Sequence, residues 1–166
     1  MKSTMISGGR TMRMSEEIQQ MLDENIVYLA TSTPEGKPNV VPIGLVHAIS
    51  DEELLIVDVL FKKTRRNLEE NPEVAISFTD FKRLESYQLK GKAKIFKTGE
   101  IYEKAFDIMK DKAERRRESL GKVGDPEISE RARKISEMHK RLKPRAAVLI
   151  TIEEIYSHIP ESKERR

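Results

Sequence analysis

A chain of 166 residues with 31 Lys and Arg against 28 Asp and Glu, formally +3, has the length of one domain and a mixed surface rather than a polyanion-binding one. It contains no cysteine, which excludes disulfides, thiolate metal sites, iron–sulfur clusters and a cysteine nucleophile, and suits a reducing, cytoplasmic setting. No segment approaches the roughly 20 apolar residues of a membrane span. Met1–Met14 lacks an apolar leader core and reads as a flexible segment ahead of one domain over 15–160, with a charged tail at 161–166.

Ser15 is placed to cap a short helix reaching Asp23 that buries Ile18, Met21 and Leu22, because its hydroxyl can accept from first-turn amides that have no partner within the helix. A strand follows over Ile26–Thr31. Thr33-Pro34-Glu35-Gly36 then combines a fixed φ with a residue free to turn, which predicts a hairpin whose return strand runs over about Asn39–Ile49. Leu54–Val59 is apolar apart from Asp58, as expected of a strand covered on both faces.

Leu68-Glu69-Glu70-Asn71-Pro72 ends a short helix, and Val74, Ile76 and Phe78 alternate with smaller or polar residues along the next strand. Tyr87, Leu89, Gly91, Ala93 and Ile95 alternate with Gln88, Lys90, Lys92 and Lys94, so one long strand carries a cationic row opposite an apolar one. The period then becomes helical over about 100–142. Ile101, Ala105, Ile108 and Met109 form one stripe; after Asp125-Pro126, Ile128, Ala132, Ile135, Met138 and Leu142 form another. Ala146–Ile152 is a last buried strand. Short connections between the early strands favour antiparallel meanders over a parallel sheet, which needs a crossover after each strand. The expected fold is mainly β: a six-stranded antiparallel barrel with peripheral helices.

Two segments stand out for chemistry. Pro38-Asn39-Val40-Val41-Pro42-Ile43-Gly44 holds two prolines and a glycine, which suits either an edge strand or a flat wall for a planar ring. Asp58-Val59-Leu60-Phe61-Lys62-Lys63-Thr64-Arg65-Arg66-Asn67 gathers four cations and a hydroxyl at a helix start, where positive charge opposes the helix dipole unless an anion is present. The alternative is a solvated basic turn. His47, His139 and His158 lack ligand-like spacing, and no metal site is expected.

In order and spacing these segments resemble the FMN-binding split barrels related to pyridoxamine 5′-phosphate oxidase. Val27-Tyr28-Leu29-Ala30-Thr31 with Gly36-Lys37-Pro38 and Pro42-Ile43-Gly44 resembles that family's first hairpin, the stretch from Lys63 to Ala75 its phosphate-binding turn, helix and strand, and Gln88-Leu89-Lys90-Gly91-Lys92-Ala93 the strand after it. The resemblance implies a split-barrel homodimer with FMN at the subunit interface. Lys63 and Thr64 would hold the phosphate, with Lys62 and Asn67 close by. Val41, Pro42, Ile43 and Gly44 would line the ring edge, Asp58 would lie by the ribityl chain, and Gln88 would reach the ring. No catalytic residue is assigned; Lys90 is a candidate to stabilise negative charge on the reduced ring if its row faces it. The C-terminal tryptophan and arginine cluster of the true oxidase is missing, as there is no Trp.

The expected activity is that of an FMN-dependent oxidoreductase with an unassigned small-molecule substrate. The rivals are a non-catalytic FMN-binding or storage protein and a deazaflavin-dependent reductase; a haem relative with His158 as axial ligand is a weaker one. A nucleic-acid module built on Lys62–Arg66 and Arg115–Arg117 is disfavoured by 5% aromatics and near-balanced charge.

Overall fold

The structure is a computed structural model that describes residues 12–121 and 124–158; the N-terminal stretch 1–11 and the tail 161–166 lie outside it. In chain order the elements are α1 (Glu16–Glu24), β1 (Val27–Ser32), β2 (Pro38–Ile43), β3 (Val46–Ala48), β4 (Glu53–Asp58), α2 (Lys63–Glu70), β5 (Glu73–Asp80), β6 (Glu85–Phe96), α3 (Glu100–Gly121), α4 (Pro126–Arg141) and β7 (Ala146–Ser157). The strands form one curled, wholly antiparallel sheet in the order β2-β1-β5-β6-β7-β4-β3. This is the expected split barrel with seven strands instead of six. The extra strand arises because the return strand breaks at Gly44-Leu45, so that β2 pairs with β1 while β3 pairs with β4. Pro42 lacks a ladder donor and Gly44 tolerates the bend, so a run read as one strand serves both sheet edges.

Local chemistry sets the boundaries. Ser15 Oγ accepts from the Ile18 amide at 3.3 Å and opens α1. Gly36 takes a φ of 83°, a left-handed conformation that closes the β1–β2 hairpin. Asp80, nearly inaccessible, accepts at Oδ1 from the amides of Lys82 (2.9 Å) and Arg83 (2.8 Å) and at Oδ2 from Asn25 Nδ2 (3.0 Å), fixing the β5–β6 turn against the end of α1. These bonds, the Arg83 amide foremost, hold its carboxyl at about 2.

The main core fills the curl with Val27, Leu29, Leu54, Ile56, Ile76, Phe78, Leu89, Ile150 and Ile152, capped by Met21 and Leu22 of α1 and Leu68 of α2. Met14, just before α1, is buried in it too. A second core lies on the other face of β4, where Leu55 and Val57 meet Ala105, Ile108 and Met109 of α3. The apolar run of β4 therefore has the two covers its composition implies. The α4 stripe differs from expectation: Ala132 is buried, but Ile128, Ile135 and Met138 are 42–46% exposed. The reason is that α4 packs on α3 rather than on the sheet, and small residues, Ala132 and Ser136, are the ones buried.

Between Lys90 and Gly91 the β6–β7 register shifts by a bulge, and a Cβ at Gly91 would lie 2.0 Å from the Thr151 carbonyl oxygen. That overlap is with backbone and cannot be relieved by a rotamer change. Gly91→Ala is expected to destabilise the fold by about 1–3 kcal/mol or more, read as a lower urea midpoint; an unchanged midpoint would show that the bulge relaxes freely.

Candidate functional site

The inward positions of β1 alternate Val27, Leu29, Thr31, so a hydroxyl takes the place of an apolar side chain at the hairpin end of the strand. Thr31 Oγ1 accepts from Asn67 Nδ2 of α2 at 3.0 Å and from Asn39 Nδ2 of β2 at 3.2 Å, and the same Asn39 nitrogen reaches Thr64 Oγ1 at 3.2 Å. Asn71 Nδ2 adds a 3.0 Å bond to Ser32 Oγ. Thr31, Thr64 and Asn67 are all buried. Four polar side chains thus satisfy one another in the interior and lock α2 to the β1–β2 hairpin.

Upstream of α2, Asp58 shapes the approach. It is 1% exposed, accepts from the Phe61 amide at Oδ1 (2.9 Å) and from Arg65 Nε at Oδ2 (2.6 Å), and forms an ion pair with the Arg65 guanidinium. Of the four cations in the segment, Arg65 is therefore neutralised by Asp58. Lys62, Lys63 and Arg66 are exposed, and no carboxylate pairs with them among the described residues.

The start of α2 has few internal ways to satisfy itself. Its N-cap is Lys62, whose side chain makes no capping bond, and its first turn holds no acidic residue. The first bond of the turn runs from the Arg66 amide to the Lys62 carbonyl at 3.3 Å, so the amides of Lys63, Thr64 and Arg65 precede it. Donors, dipole and two unpaired lysines converge on one corner, an arrangement suited to a phosphate group.

The expected site residues do not all gather there. Thr64, Lys62 and Lys63 form the corner, with Asn67 one turn behind and Asp58 buried beneath it, both as positioning groups for the helix start. On β2, Val41 and Ile43 turn toward the core and Pro42 outward, while Gly44 sits at the break. Gln88 lies apart: its register partners Ser77 and Tyr156 place it on the outer face of β6, three strands from β2, or about 14 Å across the sheet. Lys90, two residues on, pairs with Glu154 at 3.8 Å and lies 5.0 Å from the Tyr156 ring. Thr31, Asn39 and the Asp58–Arg65 pair were not singled out by sequence reasoning. A polar residue in an apolar slot of an alternating strand was the signal available for Thr31.

The family model for pyridoxamine 5′-phosphate oxidase matches residues 14–159. The chain belongs to the pyridoxamine 5′-phosphate oxidase family. An uncharacterised protein of Methanocaldococcus jannaschii is 31% identical over 152 residues, covering 90% of this chain and 84% of the relative. Among solved structures, HupZ of Group A Streptococcus is similar with a TM-score of 0.61 and 23% identity, covering 87% of this chain and 94% of that one. An FMN-binding protein from Syntrophomonas wolfei is similar at 0.60 and 14%, covering 87% and 85%, and HutZ, the haem storage protein from Vibrio cholerae, at 0.53 and 19%, covering 87% and 94%. At these identities the structural likeness shows the fold, which within this family carries more than one cofactor chemistry. The described residues include no helix long and apolar enough to cross a membrane.

If the polar lock holds α2 in place, Asn67→Ala leaves the buried Thr31 hydroxyl short of a donor. A loss of about 1–3 kcal/mol is expected, measured by chemical denaturation; wild-type stability would mean that the helix is held by Leu68 and its apolar neighbours alone.

Proposed function

We propose that this chain is an FMN-binding protein that works as a homodimer, most simply as a flavin-dependent oxidoreductase on a small molecule. The observation that carries the proposal is the uncapped, acid-free start of α2, where Lys62 and Lys63 lack carboxylate partners next to the Lys63 and Thr64 amides. Such a helix start is destabilised by its own charges unless an anion joins it. The donor set fits the phosphate of FMN: two ammonium groups, free amides and a hydroxyl oriented by Asn39.

The homodimer rests on the outer face of the sheet. Two cross-strand rows run over it, Pro42–Tyr28–Ser77–Gln88–Tyr156 and Val40–Ala30–Ala75–Lys90–Glu154. The middle of both rows is small and flat, while Tyr28 is 53% and Val40 61% exposed. A self-complementary contact through this face would bring Gln88 of a second copy toward the β2 edge that its own subunit cannot reach, which supports a cofactor shared between copies.

FMN, when bound, supplies the redox chemistry. The chain's own groups fix the phosphate at Lys63 and Thr64 and offer main-chain N–H and C=O groups of Val41–Gly44 to the ring edge, with Pro42 limiting water access. A storage role would use the same pocket without turnover, and a deazaflavin would use the same phosphate corner.

Titration of the purified protein with FMN is expected to show saturable quenching of flavin fluorescence. Lys63→Gln is expected to weaken binding at least about tenfold, the effect of losing one charge-assisted contact. Absence of binding, or equal binding by the variant, would overturn the reading. Anaerobic mixing of the loaded protein with NADH or NADPH separates the enzyme from the storage protein, and a parallel titration with a deazaflavin ranks the two cofactors.

A further inference from the structure

The Gly44 end of β2 opens into a second concavity, at the far end of the β1–β2 hairpin from the Thr31–Asn67 lock. It is a cleft of about 650 Å³ between the end of α1, one face of α3 and the β5–β6 turn, a volume typical of small-molecule sites. Gly44 and the half-exposed Ile26 line one part; Lys82 of the turn and Lys112, Arg115 and Ser119 of α3 line another. The α3 residues are spaced three and four apart and so share one face of the helix.

The charges in the cleft are unevenly matched. Asp23 lies 2.8 Å from His47 Nδ1 and 3.2 Å from Lys112 Nζ, which also donates to the Asp23 carbonyl at 3.0 Å. Glu24 accepts from Arg83 (3.2 Å) and Gln20 (2.9 Å). Both carboxylates are thereby engaged, and Lys112 also offsets the negative end of α1. Lys82 and Arg115 are exposed, and no carboxylate pairs with either among the described residues. A concave wall with two unmatched cations, a serine hydroxyl and an apolar patch is complementary to a small organic anion.

We infer that this cleft binds the carboxylate or phosphate group of a small organic substrate through Arg115, Lys82 and Ser119, leaving the rest of the molecule at Gly44. As a substrate seat it rests on the flavin reading, because Gly44 closes the stretch assigned to the ring edge; as an anion site it stands without that reading. Two ends of one β-strand segment thus serve two ligands. The Lys63 corner takes the cofactor's phosphate, and the Gly44 end takes the anionic head of the molecule that reacts with it.

Amide chemical shifts of the FMN-loaded protein, followed during separate titrations with inorganic phosphate and with succinate, test this. The expected result is saturable movement of Gly44, Lys82 and Ser119 with one of the anions, weakened at least about tenfold in the Arg115→Gln/Lys82→Gln double variant. Phosphate alone would assign a phosphate ester, succinate alone a carboxylic acid. No saturable shift at these amides with either anion, shifts confined to Lys63–Arg65, or equal affinity in the double variant would overturn the inference. If the protein takes up no FMN, the same titrations on the cofactor-free chain decide the cleft separately from the flavin reading.

Discussion

The structure depends on the requirement that polar groups inside a protein find partners. Thr31, Asn39, Thr64 and Asn67 are a small polar island at the end of a hydrophobic curl, and each is tolerated there because the others satisfy it. Their cost becomes a constraint: α2 can occupy essentially one position on the β1–β2 hairpin without orphaning a hydroxyl or an amide. That position points the helix start, with its free amides and lysines, at one corner of the barrel. Asp58 does the same for the approaching loop by holding Arg65 and the Phe61 amide, which removes one cation from the surface and leaves Lys62 and Lys63 outside.

The sheet supplies the second half of the geometry. Breaking the return strand at Gly44-Leu45 lets β2 and β3 form opposite edges of one sheet, so the same short segment borders both the core and the outer concavity. The flat outer rows built on Ala30, Ala75 and Ser77 leave a face that α3 and α4 do not cover, since α3 is spent on β4 and β7 and α4 on α3. Helix, strand break and open face are thus separate solutions to local packing that jointly define where a cofactor and a second subunit would sit.

Much of this was legible in the sequence because it is governed by short-range rules. Ser15, Pro34-Gly36 and Asp125-Pro126 mark boundaries through capping and turn chemistry, and the alternation in Val74–Phe78 and Tyr87–Ile95 gives strand and face together. What escaped was set by partners distant in the chain. The split of Asn39–Ile49 into two strands depends on β4 offering a separate edge to Val46–Ala48, and the outward stripe of α4 depends on α3 lying between it and the sheet. The phosphate corner was visible as a run of cations, but the neutralisation of Arg65 and the burial of Asn67 were not, because both follow from how the loop folds back. Gln88 was placed on the right strand, and only the register reveals that it faces away from its own subunit's corner.

A crystal structure of the protein grown with saturating FMN tests the central claim most directly. The account predicts the phosphate hydrogen-bonded to the Lys63 and Thr64 amides with a lysine ammonium beside it, and the ring edge along Val41–Gly44 where two copies meet. FMN well ordered with its phosphate elsewhere, or the α2 corner holding only water at saturating FMN, would contradict it.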